Sequence, residues 1–471
     1  MFAFAAFGIP MVGSLFTLAA DRVSALLRNA LAALVIAASF ISCLILIPQA
    51  GESTTLMLGP VNLPGFNFAF IVDGLGVFVA TMSSLIGLLI VFYSFGYMKD
   101  YPRQGEYYFL IVLFLGAMMG LVLSANLLLI YIFWEITAIC SWRLIGFFRD
   151  PQHLRNADTA LMMTIFGSFF MLLGIEMVWH ETGSLVVTSI NGREVSNLAI
   201  FFIYLGILAK SAQVPLQVWL PAAGVAPSPV TALLHAAVLV VIGVFAFARI
   251  FVGAFHLPQN WQMVTSLVAT ATILIASAAA LIEQNAKRIL AYSTLGQLGY
   301  VILGLSSMTP IGVAGGLVFL LAHSLAKAGL FLCIGIVEHK TDTRDLRHLG
   351  GLMRSMPFTG ITFILCALTI VGLPPTAGFF GKLMIVIGAL QGGFTLFGIL
   401  AVFGSVLTMA YMLRLFNAVF LGEERWPGLK EGTPLMLATV VVFAALSIAI
   451  GLATQPLLRT AAVLTNQLLG F

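Results

Sequence analysis

The sequence predicts an all-α polytopic membrane protein with about 14 transmembrane helices. Hydrophobic residues make up 61% of its 471 residues and charged residues only 8%, whereas soluble domains carry about 25% charge. Apolar runs of roughly 20 residues, each long enough to cross about 30 Å of hydrocarbon, recur along the whole chain. Lysine and arginine concentrate in alternate loops, as expected for a multi-span topology. No segment is polar enough to form a soluble domain.

The predicted helices follow one another with short connections. They cover residues near 1–20, 28–48, 71–98, 106–123, 126–147, 159–180, 197–220, 228–254, 262–283, 288–307, 310–338, 357–390, 393–421 and 433–455. The first run, 1–20, has no basic n-region and is followed by Asp21 and Arg22, so we expect a retained helix and not a cleaved signal peptide. Prolines within the apolar runs 197–220 and 357–390 predict that these two helices are broken.

The distribution of basic residues predicts the orientation. With the N-terminus outside, 14 Lys and Arg fall in inside loops: Arg22, Arg28, Lys99, Arg103, Arg149, Arg155, Lys287, Arg288, Lys340, Arg344, Arg347, Arg354, Arg425 and Lys430. The outside segments receive Arg193, Arg249 and Arg459, and the remaining five lie in or at the edge of the membrane: Arg143, Lys210, Lys327, Lys382 and Arg414. This bias predicts that both termini lie outside and supports an even number of helices.

The two broken helices lie five helices apart in the chain. One breaks at Pro215 and the other at Pro374–Pro375, and each has a lysine near its break, Lys210 or Lys382. Five-helix units that follow one another must have opposite orientations, because five is odd. The expected organisation is helices 1–3 (1–105), a first inverted repeat (106–254), a second inverted repeat (255–421) and helix 14 (422–471). Broken helices at matching places in inverted halves indicate a transport site near the bilayer midplane.

Glu135 and Lys210 form the first candidate pair. Glu135 is the only acid in the run LLLIYIFWEITAICSWRLIGF, and Lys210 ends an apolar helix at a similar depth. A carboxyl group buried near a lysine can change its protonation state near neutral pH, and an ionisable residue within a membrane helix is a candidate functional residue. The structural alternative is a glutamate satisfied by a hydroxyl group or a water molecule between helices.

A second group of candidates lies on the predicted helices 228–254 and 310–338. His323 and Lys327 are four residues apart and so share one helix face. A neutral histidine beside a titrating lysine fits a proton pathway. The alternatives are snorkelling side chains for this pair, and a core histidine bonded to a carbonyl group for His235. Lys382 follows GLPPTAGFFG, where proline and glycine free backbone groups to bind water.

Other charged residues are less informative. Asp73 and Glu176 are expected near the membrane faces. Arg414 is interpreted as stabilising a packed helix pair or as snorkelling. Arg143, eight residues after Glu135 and on a similar face, is an alternative partner for that glutamate.

Metal and cofactor sites are not expected. The four cysteines stand singly and no CxxC pair exists, which makes iron–sulfur or structural zinc ligation improbable; they are Cys43, Cys140, Cys333 and Cys366. Only His235 and His323 are deep enough to be haem ligands, so a redox subunit that binds haem or quinone is disfavoured. A structural scaffold would not need three deep lysines, each costing about 3 kcal/mol or more.

Five motifs carry a family resemblance. They are FWEITAICSWRLIGF around Glu135, AKSAQVPLQVWLPAAGVAPSPVTALLHAA around Lys210 and His235, KRILAYSTLGQLGY from Lys287, HSLAKAGLFL with His323 and Lys327, and GLPPTAGFFGK ending in Lys382. On these the sequence resembles, nearly end to end, the antiporter-like proton-translocating membrane subunits shared by respiratory complex I, membrane-bound hydrogenases and Mrp-type cation/proton antiporters.

The resemblance implies a fold and a function. It implies 14 helices in two inverted five-helix repeats, each with a broken helix, and a chain of polar residues joining two half-channels. Glu135 and Lys210 would form the acid–lysine pair of the first repeat, His235 would link onward, and the other three candidates would serve the second repeat. The subunit would carry no redox centre itself, and it would act in a larger, redox-driven or antiporter complex of the bacterial or archaeal inner membrane.

Two departures from the family pattern narrow the resemblance. Some members place an acid in the helix after the glutamate helix, where this chain has Ser168 in FGSFF, a form that looks more like the Mrp and shorter complex I types. No long lateral helix is expected after 433–455. With Arg143 and Arg414, Ser168 is a candidate modulator of the proton pathway.

The leading hypothesis is a proton-translocating subunit that assembles with other membrane subunits, including further antiporter-like ones, in membrane lipid. A sodium/proton antiport subunit of an Mrp-type complex is the alternative. A stand-alone transporter of a small solute would share the broken helices, but the series of histidine and lysine favours protons. A net charge of +4 gives no reason to expect nucleic acid binding.

Overall fold

The computed structural model describes residues 1–57 and 67–470, which form a helical bundle with one small β-hairpin. The helices are α1 (Phe2–Ala20), α2 (Ala25–Leu46), α3 (Gly74–Tyr97), α4 (Gln104–Val122), α5 (Leu127–Ile145), α6 (Pro151–Thr182), α7 (Val187–Ile190), α8 (Asn197–Lys210), α9 (Trp219–Ala222), α10 (Ser228–Ala236), α11 (Leu239–Ala246), α12 (Gln259–Ile282), α13 (Ala286–Ser306), α14 (Pro310–Thr341), α15 (Pro357–Val371), α16 (Ala377–Gln391), α17 (Thr395–Phe420), α18 (Pro434–Leu452) and α19 (Thr454–Leu469). The strands are β1 (Thr54–Met57) and β2 (Ala69–Val72), and short 3-10 or π-helical turns cover Ile47–Gln49, Ala223–Val225 and Phe247–Val252.

Helices of membrane-spanning length make up most of the bundle. Within the described residues, 12 helical segments are long and apolar enough to cross a membrane. The predicted polytopic helical fold is therefore confirmed. α8, α15 and α16 are apolar but have only 14 or 15 residues, because each is part of an interrupted segment. For that reason the total of 14 spans and the inverted repeat stay predictions.

The first break follows α8. The helix ends at Lys210, shortly before Pro215, which could not continue it. Trp219 Nε1 donates a hydrogen bond to Ala209 O (2.9 Å), a carbonyl freed by the end of the helix. Val214 N donates to a threonine hydroxyl of α12 (3.1 Å). These freed backbone groups are satisfied inside the protein, as irregular backbone at membrane depth requires.

The second break separates α15 from α16. α15 ends at Val371, and Gly372 follows with φ of +85°, in the left-handed region that glycine adopts without strain. The chain then passes Pro374 and Pro375. At the start of α16, Gly378 approaches α15 so closely that a Cβ atom would lie 1.9 Å from Thr369 O. Both glycines are needed for the tight contact between the two half-helices.

The centre of the bundle is formed by α10, α11, α13 and α14, which are completely or almost completely buried. α14 packs against α10, α13, α15 and α16. In the first half of the chain, α6 packs in the same way against α8. α6 and α14 both have 32 residues and both begin with a proline after a polar N-cap, Asp150 or Thr309. This correspondence is what an inverted repeat predicts.

The hairpin corrects the predicted start of the third helix. Residues 69–72 belong to β2 and not to a helix, and Thr54 pairs with Val72 and Met57 with Ala69 in an antiparallel register. α3 begins only at Gly74, because Asp73 is its N-cap and accepts a hydrogen bond from Gly76 N (3.0 Å).

Two further elements differ from the sequence prediction. The predicted helix 228–254 is interrupted between α10 and α11 at Ala237 and Val238, where Ser83 Oγ donates to Ala237 O (2.7 Å). α19 follows α18 and was not predicted. It packs along α14 and reaches α3, and its Gln467 side chain bonds to the backbone at Gly74 (3.0 Å).

Candidate functional site

Lys210 is buried at the end of α8 and faces α5. Its Nζ donates to Trp134 O (3.1 Å) and lies 5.2 Å from the centre of the Trp134 ring. The next residue on α5 is Glu135, whose charge interacts with that of Lys210. Among the described residues Lys210 makes no ion pair within 4 Å, so the amine and the carboxylate are neighbours that do not touch. The structure thus brings the predicted acid–lysine pair together with a gap between the two groups.

Glu135 is partly buried, and its Oε1 atom has no hydrogen-bond partner within the described part of the chain. Tyr131 lies one helical turn before it, close enough for its hydroxyl to interact with the carboxylate. Ser168 on α6 is near Tyr131 and donates to Ile165 O (3.1 Å). A buried carboxylate oxygen without a donor can accept a proton or a water molecule.

Arg143 is not the partner of Glu135. Its Nε donates to Glu106 Oε1 on α4 (2.5 Å), and Arg149 Nη2 binds the other oxygen of Glu106 (2.8 Å). Eight residues along a helix correspond to about 12 Å, which separates Arg143 from Glu135 by more than two turns. The alternative pairing is therefore replaced by an ion pair between α4 and α5.

His235 and His323 meet where α10 packs against α14. Both side chains are fully buried, and both ring nitrogens of each have no hydrogen-bond partner among the described atoms. The His235 ring packs against the Phe331 ring, with a centroid distance of 4.5 Å and an angle of 32° between the ring planes. Four unpartnered nitrogen atoms in a buried place are an unusual number and would be satisfied by water molecules or transferred protons.

Lys327 lies one turn after His323 on α14. Its Nζ donates to Leu290 O of α13 (3.0 Å) and is fully buried. Its charge interacts with His235, His323 and Lys382. Lys327 is thus the centre of the second group of candidates.

Lys382 lies on α16 just after the second break. Its Nζ donates to Ile370 O (2.9 Å) and Val371 O (3.3 Å), the carbonyls left free where α15 ends. The C-terminal end of a helix carries a partial negative charge and so favours a cation. The amine also lies 4.5 Å from the centre of the Tyr300 ring. The break itself therefore builds the binding position of Lys382.

The structure places the predicted residues in two groups. Glu135 and Lys210 form one, in which the opposite charges attract, and His235, His323, Lys327 and Lys382 form the other, in which the like charges of the basic side chains repel one another. Within the described chain no hydrogen bond or ion pair joins Lys210 to His235. Proton transfer between the groups would need water molecules or side-chain movement.

Arg414, the remaining candidate modulator, has a structural contact. Its Nη1 donates to Glu283 O at the end of α12 (2.8 Å). This bond ties α17 to α12 and agrees with the interpretation as a stabilised helix pair.

Sequence reasoning missed a buried ion cluster around Glu338. Glu338 Oε2 is 2.6 Å from Lys287 Nζ and accepts from Ser228 Oγ (2.9 Å), and Oε1 is 2.5 Å from Arg344 Nε. The sequence predicts Lys287 in a loop, but it lies in the first turn of α13, is buried, and also donates to Ala226 O (3.1 Å). The charge of Lys287 interacts with His235, which connects this cluster to the second group.

A cavity of about 440 Å³ opens beside this ion cluster, at the end of the bundle where α3 ends and α4 begins. Glu338, Asp342 and Asp345 line it together with Tyr101. Hydrogen bonds from Arg347 hold the pKa of Asp345 well below its usual range, and burial raises the pKa of Tyr101. Basic side chains line the same cavity, namely His153, His339 and Arg344, so charged groups of both signs lie next to Glu338.

A second polar network was also missed, between α13 and α17. Gln297 Nε2 donates to Tyr411 OH (3.1 Å), and Tyr411 OH donates to Ser293 Oγ (2.8 Å). The signal was present in the motif KRILAYSTLGQLGY, whose serine and glutamine lie in an otherwise apolar helix. The partner Tyr411 is far along the chain, so spacing alone could not pair them.

Metal-binding geometry is not apparent. No cluster of three His, Cys, Asp or Glu suited to a metal ion occurs in the described residues. Each of the four cysteines is buried and free.

Together these features define a helical membrane protein with broken helices and a buried series of ionisable side chains. The chain belongs to the family described as NADH:quinone oxidoreductase/Mrp antiporter, TM, which matches residues 124–408. The N-terminal family described as NADH-Ubiquinone oxidoreductase (complex I), chain 5 N-terminus, matches residues 61–108.

Curated relatives are similar over most of this chain. The Na(+)/H(+) antiporter subunit A1 of Staphylococcus haemolyticus (strain JCSC1435) is 34% identical over 439 residues, which cover 86% of this chain and 54% of that protein. Subunit A1 of Staphylococcus aureus (strain JH9) is 34% identical over 450 residues, 88% of this chain and 56% of that protein. The chain spans about half the length of these relatives.

Solved structures share the fold. A chain of the Mrp complex from Dietzia sp. DQ12-45-1b superposes with a TM-score of 0.90 at 22% identity, covering 99% of this chain and 97% of that one. A chain of respiratory complex I from Thermus thermophilus with bound NADH gives a TM-score of 0.88 at 24% identity, covering 100% of both chains.

Proposed function

We propose that this chain is a proton-translocating, antiporter-like subunit of a multi-subunit complex in a bacterial or archaeal inner membrane. The observation that carries the proposal is the series of three buried lysines, Lys210, Lys327 and Lys382, whose amines donate only to backbone carbonyl groups among the described residues and make no ion pair within 4 Å there. A buried ammonium without a counter-ion is costly, and such residues mark ion pathways in membrane proteins.

Protons would move by electrostatic coupling along the series. A proton that arrives on one lysine raises the energy of the next cation, because charges interact strongly and are poorly screened in a low-dielectric interior. Glu135 would accept the proton that Lys210 releases, and the unpartnered nitrogens of His235 and His323 would pass protons to and from Lys327. Arg143 would hold α4 against α5, Ser168 would act through Tyr131, and Arg414 would hold α17 against α12.

The partners and orientation belong to the same proposal. The solved structures of the same fold come from multi-subunit membrane assemblies, which supports further membrane subunits as partners. The excess of Lys and Arg in alternate loops supports both termini outside. The chain would carry no redox centre of its own.

Sodium/proton antiport is the second candidate function. The specific observation in its favour is that the relatives at 34% identity are called Na(+)/H(+) antiporter subunits. Sodium-driven change of internal pH in liposomes would separate the two functions, since a proton-only subunit should give none.

The proposal is tested by comparing Lys327→Ala with Lys327→Arg in the intact complex, reconstituted in liposomes with a pH-sensitive dye. Both variants should lose proton translocation nearly completely. Alanine has no group that carries a proton, and arginine keeps the charge but does not release its proton in proteins. Lys430→Ala, at an exposed position in the loop between α17 and α18, is the matched control and should transport like wild type.

Assembly has to be measured for each variant by the recovery of the complex on a tag. Full transport by an assembled Lys327→Arg protein would show that only the charge is needed and would refute proton transfer through this lysine. Full transport by Lys327→Ala would refute the proposed pathway.

A further inference from the structure

A groove of about 590 Å³ lies between α3, α14 and α19 and the end of α2. Its walls are apolar and include Ile47, Phe78, Leu85, Leu321 and Val463. None of the lysines and histidines of the proposed proton pathway lines this groove.

The groove has the depth of one membrane leaflet. Leu85 is 11 residues beyond the start of α3 at Gly74, and Leu321 is 11 residues beyond the start of α14 at Pro310. At 1.5 Å per residue, each lies about 16 Å below the end of the bundle. Half of the hydrocarbon core is about 15 Å thick. The length of the groove therefore suits an acyl chain that enters from the headgroup region.

One cation lines this groove. Arg459 on α19 is exposed and makes no ion pair with any carboxylate of the described residues, and the hydroxyl-bearing Thr460 lines the groove beside it. A guanidinium group binds phosphate oxygens through parallel hydrogen bonds and keeps its charge at every relevant pH. An unpaired arginine above an apolar groove in a membrane protein complements an anionic phospholipid.

The rim of the groove is fixed by hydrogen bonds. Gln467 Nε2 donates to Ala50 O (2.9 Å) and Gly51 O (3.0 Å), and its Oε1 accepts from Gly74 N (3.0 Å). One side chain of α19 thus joins α19 to the ends of α2 and α3. The groove is a formed feature of the fold and does not depend on an occupant to hold its walls together.

A second groove provides the contrast. It has about 500 Å³, lies between α15 and α18, and is lined by Leu365, Pro375, Ala444 and other uncharged residues. Without a cation, it can accept an acyl chain but cannot select a headgroup.

We propose that the groove under α19 binds one anionic phospholipid, with the phosphate on Arg459 and an acyl chain against Leu85 and Leu321. The site would hold the lipid where α19 crosses α14. Its selectivity would come from Arg459 and its affinity mainly from the apolar walls.

Native mass spectrometry of the purified full chain tests this proposal, using phosphatidylglycerol and phosphatidylcholine with identical acyl chains. The wild-type protein should retain phosphatidylglycerol about five-fold more strongly, the effect of one basic side chain near a lipid surface. Arg459→Gln should remove this preference and still bind lipid. Val463→Trp, which fills the groove, should lower the retention of both lipids.

Arg193→Gln is the matched control, because Arg193 is an exposed cation that does not line the groove. It should keep the five-fold preference. An equal loss in Arg193→Gln would show a general charge effect and overturn the proposal. The proposal would also be overturned if Arg459→Gln kept the full preference for phosphatidylglycerol. It would be overturned as well if Val463→Trp retained as much lipid as wild type, since the lipid would then not occupy the groove.

Discussion

At the scale of single residues, the buried amines share one kind of hydrogen-bond acceptor. Lys210, Lys327 and Lys382 all donate to backbone carbonyl oxygens. A carbonyl group is neutral, so it stabilises an ammonium ion less than a carboxylate would. Each lysine can therefore gain or lose a proton without breaking an ion pair, which a proton carrier requires.

Glu338 has the opposite environment, and its substitution should be costly for stability. Glu338→Gln would leave Lys287 and Arg344 as buried or partly buried cations without their carboxylate. Breaking such a pair destabilises by about 3 kcal/mol. We expect the variant to unfold at a clearly lower midpoint temperature in detergent, as measured by tryptophan fluorescence.

The double variant Lys287→Met/Glu338→Gln is the control for this prediction. It removes the uncompensated amine as well, so most of the lost stability should return. Equal destabilisation of the single and double variants would contradict the assignment of Lys287 as the main partner. If the double variant is stable, its rate of proton translocation would show how much the ion cluster contributes to proton uptake from the adjacent cavity.

The sequence predicts the lysines and histidines of the candidate site but not this cluster. The candidates stood out because each is a lone ionisable residue within an apolar run. Lys287 stands next to Arg288 at a helix end, a pattern typical of a solvated loop, and Glu338 lies near His339 and Lys340. Their burial is decided by the packing of α13 against α14, which no local pattern contains.

At the scale of secondary-structure elements, the second break depends on a glycine contact. Gly378→Ala would place a methyl group 1.9 Å from Thr369 O, a backbone atom that cannot move without displacing α15. We expect a loss of roughly 2 kcal/mol or more, as found for overpacked cores. Because the displaced end of α15 carries the acceptors of Lys382, proton translocation should fall as well.

Gly8→Ala is the matched control for this substitution. Gly8 lies inside α1, and an added Cβ atom would meet nothing within 4 Å. Alanine favours a helix over glycine by up to about 1 kcal/mol, so this variant should be as stable as wild type or slightly more stable. Unfolding midpoints in one detergent would compare the two, and an unaffected Gly378→Ala protein would contradict the described contact.

The elements that the sequence did not reveal depend on contacts with other parts of the chain and not on a local signal. The breaks at the prolines were predictable because proline acts through its own ring and missing N–H group. β2 is only four residues long and leads directly into the apolar run of α3. The hydrophobic periodicity therefore cannot distinguish the strand from the start of the helix. The gap between α10 and α11 contains neither proline nor glycine at Ala237 and Val238, and its position depends on contacts with α3.

At the scale of the whole molecule, the predicted orientation can be measured with cysteine labelling. The four native cysteines are buried, which gives a quiet background. Glu194→Cys and Glu423→Cys would place exposed thiols at opposite ends of the bundle. A membrane-impermeant maleimide should label Glu194→Cys in intact cells and Glu423→Cys in inside-out vesicles. The reverse pattern would refute the orientation.

The fold class was accessible from composition and apolar runs, because a bilayer forces nearly all backbone groups into helices. The depth and partners of the charged residues were not accessible in the same way. Arg143 shows the difference: its helix was predicted, yet its partner Glu106 depends on how α4 and α5 are aligned. Helix alignment is set by side-chain packing across the whole bundle.

Because the three amines bind peptide oxygens, the residues that supply these oxygens can be substituted more freely than the lysines themselves. A peptide oxygen is present whatever side chain its residue carries, so a substitution at Leu290 or Ile370 that preserves volume leaves the acceptor in place. The amine donors have no such freedom. A saturation-mutagenesis map of transport should therefore show intolerant single positions at the three lysines, set among neighbours that accept many apolar replacements.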